Sequence, residues 1–177
     1  MNKNLIFILF VLIFGCAALQ AQSTAAATPT MTLTIPQVAS VSISNFTMGT
    51  STNPGNFSAS LQGTATLNYS VRVPKNGSPN AKITVQAAST SATPGGSSST
   101  APAVSAFEYS ATASGSGVTP SSSWQSLSGS TAGTLVTFAS GTKVDASTAT
   151  VNFRVADSPT FDADTFTLPL TFTISSQ

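Results

Sequence analysis

Apolar and polar residues alternate with a period of two along nearly the whole chain after its first thirty residues. Met31-Thr-Leu-Thr-Ile35 alternates apolar with hydroxyl side chains, and Val38 to Ile43 resumes the pattern after Pro36. Thr64 to Val73 places Leu67, Tyr69, Val71 and Val73 on one face. Lys82 to Gln86, Phe107 to Tyr109, Leu135 to Phe138, Thr150 to Val155 and Phe166 to Ile174 repeat the design. Threonine and β-branched residues at alternating positions favour a pleated sheet buried on one side. No stretch of helical length carries apolar residues at i, i+3, i+4 and i+7. The pattern predicts an all-β chain.

Turn chemistry separates these runs, as at Asn53-Pro-Gly55, Pro74-Lys-Asn-Gly77, Thr93-Pro-Gly-Gly96, Ser114-Gly-Ser-Gly117 and Ser140-Gly141. Short strands at this spacing predict an antiparallel β-sandwich of about 7–9 strands. Its core is expected to draw on Leu67, Tyr69, Val71, Phe138, Val151 and Phe153, and on Val155, Phe166, Leu168, Leu170 and Phe172. Pro169 falls inside the last alternating run and predicts an edge position or a bulge, because proline cannot donate to a ladder. Ser89 to Pro102, rich in Ser, Thr, Gly and Pro, is expected to be a mobile exposed loop.

The first residues follow a different rule. Lys3 precedes an unbroken apolar run, Leu5 to Phe14, which is too short for a bilayer span of about 20 residues. Small residues up to Ala21 complete the pattern of an export signal. The predicted organisation is a signal over 1–21, a lead-in and candidate donor strand over 22–35, and one sandwich domain over 36–177. Cys16 has two readings. Ile13-Phe14-Gly15-Cys16 is similar to a bacterial lipoprotein box, which would attach the chain to a membrane. Phe14 departs from that box, and otherwise Cys16 is discarded with the signal.

Composition narrows the chemistry. Of 177 residues, 29 are serine and 27 threonine, only 6% are charged, and none is histidine. Charged residues make up roughly 25% of an ordinary domain, so hydroxyls and amides must solvate this surface. The net charge of +1 gives no basic footprint for nucleic acid. Without histidine the chain lacks the commonest general base and metal ligand. A single cysteine excludes an internal disulfide and a structural zinc site.

Few residues are left to carry chemistry. Asp157, Asp162 and Asp164 cluster within eight positions and are a candidate calcium site, since calcium takes several hard oxygen ligands. Asp157 before Ser-Pro also reads as a turn residue, and Asp164 as a residue tolerant of left-handed backbone. Glu108 and Asp145 are the other two acids. Glu108 sits between Phe107 and Tyr109 and so points to the face opposite those rings. One lysine, Lys143, has a serine three residues before it, Ser140, but Ser140-Gly141 reads as turn chemistry between strands and not as a Ser-x-x-Lys nucleophile. An enzyme is not expected. Trp124, Tyr109 and Tyr69 read either as core residues or as a stacking platform for glycans.

The C-terminal half carries a family likeness. Trp124-Gln-Ser-Leu127, Phe138-Ala-Ser-Gly-Thr142, Val151-Asn-Phe-Arg-Val155 and the run from Asp162 to Ile174 resemble the ends of bacterial surface-fibre subunits of the spore-coat-U and fimbrial kind. Phe153 stands where those subunits carry a Tyr, Asp164 where they carry a Gly, and Phe166 where they carry a second Tyr. The cysteine pair common in them is missing. The resemblance implies an immunoglobulin-like sandwich that polymerises by lending a strand to its neighbour.

Two functions follow as expectations. The first is an exported cell-surface or fibre subunit, structural or adhesive; Met31, Leu33 and Ile35 read there either as the domain's own first strand or as a donor strand for another copy. The second is a monomeric secreted or lipid-anchored module that binds glycan or matrix. Both place the chain outside the cytoplasm, at the cell surface, in the periplasm or in the medium. Signal removal is expected to leave Gln22 as an unlipidated N-terminus. N-terminal sequencing of the exported protein checks this, and a diacylglyceryl mass on Cys16 would overturn it.

Overall fold

Alternation becomes structure where one side of each pleat can be covered by a second sheet. The computed structural model describes Leu33 and residues 38–44, 46–49, 60–75, 81–96 and 99–175. The chain divides into two units, Met1–Ile35 and Pro36–Gln177. The signal, Cys16, Met31 and Ile35 lie outside the described residues, and Leu33 is 76% exposed.

The second unit is an all-β sandwich. Its strands are β1 (Val38–Ile43), β2 (Ser60–Arg72), β3 (Ala81–Ala87), β4 (Thr93–Pro94), β5 (Phe107–Ala113) and β6 (Val118–Pro120). They continue as β7 (Gln125–Ser126), β8 (Gly133–Phe138), β9 (Lys143–Ala156), β10 (Phe166–Thr167) and β11 (Leu170–Ser175). A 3-10 turn, Val104–Ala106, leads into β5. The eleven described strands exceed the expected number because β4, β7 and β10 are two-residue pairings that no alternation announces.

A five-stranded sheet runs β1-β2-β9-β5-β7 and a four-stranded sheet runs β11-β3-β8-β6, with β10 and β4 paired separately. Every described pairing is antiparallel. Inward rows of the larger sheet come from Leu67, Tyr69 and Val71 on β2, Tyr109 on β5, and Val151, Phe153 and Val155 on β9. Ile83, Val85, Val136 and Phe138 supply the facing row of the smaller sheet. Tyr69 and Phe138 meet with ring centroids 5.3 Å apart, and Phe46 stacks on Phe153 at 4.7 Å.

Two bulges modify the ladders. On β8, Val136 pairs with Ile83 and Thr134 with Thr84, so Leu135 is the extra residue and both Leu135 and Val136 sink into the core. On β9 the register shifts opposite Tyr69 and Val71, and Ala146 there takes φ 48°, the left-handed region. Ser70 holds this kink: its Oγ accepts the Ala146 N–H at 3.0 Å and donates to Asp145 at 3.1 Å.

Pro169 behaves as a divider. It separates β10, which pairs with β4, from β11, which pairs with β3 at the edge of the smaller sheet. Its carbonyl accepts the N–H of Ala88 at 3.0 Å, using the only backbone hydrogen-bonding group proline has. The expectation for Phe166, Leu168, Leu170 and Phe172 needs correction. They pack against the core but stay half-buried: Leu170 and Phe172 lie on the edge strand β11, Phe166 on the two-residue β10, and Leu168 between the two beside Pro169. Phe153, 2% exposed and stacked on Phe46, is buried throughout. Phe153→Ala is therefore expected to destabilise the domain by about 3–5 kcal/mol in chemical denaturation, the range for a core Phe.

Candidate functional site

A strand that ends a sheet leaves one row of N–H and C=O groups unpaired. Two such strands, β1 of the larger sheet and β11 of the smaller, run close together with no ladder between them among the described residues. Val41 and Ile43 point inward from β1, opposite Tyr69 and Leu67, yet remain half-buried. Leu170, Phe172 and Ile174 do the same from β11, opposite Ala87, Val85 and Ile83. The partners on β2 and β3 are at most 2% exposed. Burial thus drops sharply across one strand spacing, and an apolar seam is left between the two edges.

The seam is also unguarded. Natural edges are commonly blunted by lysine, proline or inward charge. Here β1 carries Val38, Ser40 and Ser42 and β11 carries Thr171, Thr173 and Ser175 on their outward sides, and neither strand has a charged residue. The seam can hold an extended segment that offers alternate apolar side chains. Sequence reading located β11 and its edge character through Pro169. It missed Val41 and Ile43 as seam residues, because a half-buried and a fully buried strand alternate identically.

The three clustered aspartates do different work. Asp162 accepts the N–H of Thr100, and Asp164 accepts the N–H groups of Gly96 and Thr165, both at 2.7 Å. Asp157 accepts the N–H of Ser158 at 2.9 Å. Among the described residues no three His, Cys, Asp or Glu side chains converge on a point where a cation could sit. Nor is Asp164 left-handed; Ala146 is the positive-φ non-glycine residue described. Asp162 and Asp164 instead fix the Ser/Thr/Gly/Pro loop. β4 pairs with β10, Ser91 bridges Ala103, and Ala92 is 3% exposed. The segment expected to be mobile is pinned at several points, with Ser97 and Ser98 outside the described residues.

The aromatic platform does not assemble. Tyr69 and Tyr109 are 2% and 3% exposed, in the core, and burial raises the pKa of the Tyr109 phenol. Trp124 is not in the core but half-buried on the outer face, where the Arg154 guanidinium lies 4.2 Å from its ring centroid. Arg154 Nε also donates to Glu108 Oε2 at 2.5 Å, with both side chains 34% exposed. Such a half-exposed pair contributes about 0–1 kcal/mol, and the cation–π contact a similar amount. Glu108 points away from Phe107 and Tyr109 as its position requires, and its partner is Arg154, not Asp145, which bonds Ser70. A depression of about 170 Å³ beside the β9 bulge, lined by Ser40, Ser42, Asn68 and Ser70, is smaller than a typical ligand cavity.

No family model, curated protein or solved structure matches the chain. The seam's own geometry therefore carries the functional argument.

The loop latch gives a pH dependence with a definite sign. Hydrogen bonds from the Gly96 N–H first, then from Ser99 and the Thr165 N–H, hold the Asp164 carboxyl below the usual aspartate range. A lowered pKa in the folded state stabilises the latch above the unfolded value of about 3.9, and the effect is lost as pH falls through the lower native value. In an NMR titration the Gly96 and Thr165 amide resonances are expected to move together with a midpoint below about 3.9. A midpoint at or above that value would show that the latch does not form.

Proposed function

We propose that this chain is a non-enzymatic structural subunit of an exported or cell-surface assembly, joined copy to copy by strand addition. The observation that carries the reading is the seam: two uncharged edges, unpaired with each other among the described residues, whose inward side chains are half-exposed although their ladder partners are buried. A strand added there gains main-chain hydrogen bonds along its length and fills pockets with alternate side chains. Thr28 to Ile35 is the segment that fits, since Met31, Leu33 and Ile35 share one side of an extended strand. Leu33, 76% exposed, is an apolar side chain without cover of its own. An immunoglobulin-like relationship to fimbrial subunits, attachment or adhesion at the cell surface, and export through the signal belong to the same proposal. A glycan-binding monomer has less support, because two of its three aromatic residues are in the core.

Deleting residues 22–35 tests the reading by size-exclusion chromatography and thermal denaturation. At high salt, oligomers are expected to disappear while a cooperative melt persists. Adding a peptide of residues 22–35 to the truncated protein is expected to raise its melting temperature, since a ligand that binds only the native state stabilises it. A protein that is monomeric with the segment in place, or a deletion that unfolds the domain, would overturn the proposal.

A further inference from the structure

The charges of the sandwich are few enough to follow one by one. Apart from Lys3, every charged residue of the chain lies among the described residues of the second unit, five basic and five acidic. They are not scattered.

Four cations ring one end. Arg72 closes β2 and pairs in register with Lys143, which opens β9. Lys75 lies just past β2, where its carbonyl accepts the Ser140 hydroxyl at 2.8 Å and its side chain packs over Gly141. Lys82 is the second residue of β3 and pairs with Thr137, next to the end of β8. All four are exposed, and the one carboxylate near them is Asp145. That end carries a net charge of +3.

The opposite end is acidic. β9 delivers Asp157 just beyond its last residue, and Asp162 and Asp164 follow in the loop that latches residues 95–100. Arg154 also lies there but is neutralised by Glu108. The net charge of that end is −3. β9 has 14 residues, which at about 3.3 Å each separates the poles by about 40 Å. The surface between them is neutral: Thr66, Thr150 and Thr112 stand in one row across β2, β9 and β5, with Thr64 and Asn152 in the next.

We propose that copies of this chain dock head to tail, the basic end of one against the acidic end of the next. The poles match in magnitude and oppose in sign, and the folded unit as a whole is neutral, so no net repulsion opposes the approach. A Debye length of about 8 Å at physiological salt silences one pole for the other within a molecule, while poles in contact attract. The contact is heterologous, so its repetition gives a linear array and not a closed dimer. Its axis is that of the strands, along which an added strand would also run. The inference deepens the assembly reading and rests on it for its purpose, which is to orient one copy for the next; the docking itself needs no donated strand.

Sedimentation velocity of the full chain at low and high salt tests it, beside the double variant Lys75→Glu/Lys143→Glu, which turns the basic end from +3 to −1. Both lysines are exposed, so the variant is expected to melt like the parent. The parent is expected to show an increment of association at about 20 mM salt that disappears at about 0.5 M. The variant is expected to lack that increment, and Lys75→Arg/Lys143→Arg to retain it. Mixed with the parent, the Glu variant is expected to shorten arrays, because its acidic end still docks but it offers no basic end in turn. Association indifferent to salt and to charge reversal would overturn head-to-tail docking while leaving strand addition standing. If deletion of 22–35 removes the salt-resistant association and leaves the salt-sensitive increment, docking and strand addition both stand; if the salt-resistant association also survives the deletion, docking stands and strand addition has failed.

Discussion

Contact between the inward row of β9 and the sheet facing it is the constraint on which the rest of the sandwich depends. β9 lies between β2 and β5 in the larger sheet, and its register with both fixes which side of each points inward. A slip of one residue would exchange Val151, Phe153 and Val155 for Asn152 and Arg154 at the core. Phe153 resists that slip by filling space that Phe46 closes from the side. With β9 placed, β2 and β5 have no freedom of register, and the two outer strands follow.

The edges are where this constraint weakens. Every strand inside a sheet is held on two flanks and by a facing layer. β1 and β11 are held on one flank, and their inward residues are half-buried in consequence. Burial of apolar surface contributes roughly 25 cal/mol per Å², so a seam of this kind is a reservoir of unused stabilisation. A protein that served only to be a stable monomer would be expected to close it or to guard it with charge. Among the described residues the seam is neither closed nor guarded, and the few charges stand at the two ends of the strands instead.

Much of the fold was legible because a period of two survives any sequence with enough threonine and valine. Val38 to Ile43 was readable to the residue, and the inward faces of β2 and β5 follow directly from alternation. The first half of β9 was not readable. Its bulge inserts Asp145 and Ala146 into the ladder and breaks the alternation that marks Thr150 to Val155. The sequence leaves Trp124 open between core and platform, and only the fold reveals that it is half-buried with Arg154 over its ring. Of the site, the edge at β11 showed through Pro169. The seam depends on which strands are neighbours across the sandwich, and no local pattern encodes that.

The pinned loop shows where information about order can reside. Residues 89–102 have the composition of a tether, yet Asp164 reaches Gly96 across 68 positions of sequence and Asp162 reaches Thr100 across 62. The instructions for the loop's shape are written in another part of the chain, and composition read locally is blind to them. Any circular permutation, splice or fragment that parts the two segments would unmake the loop without altering one of its residues.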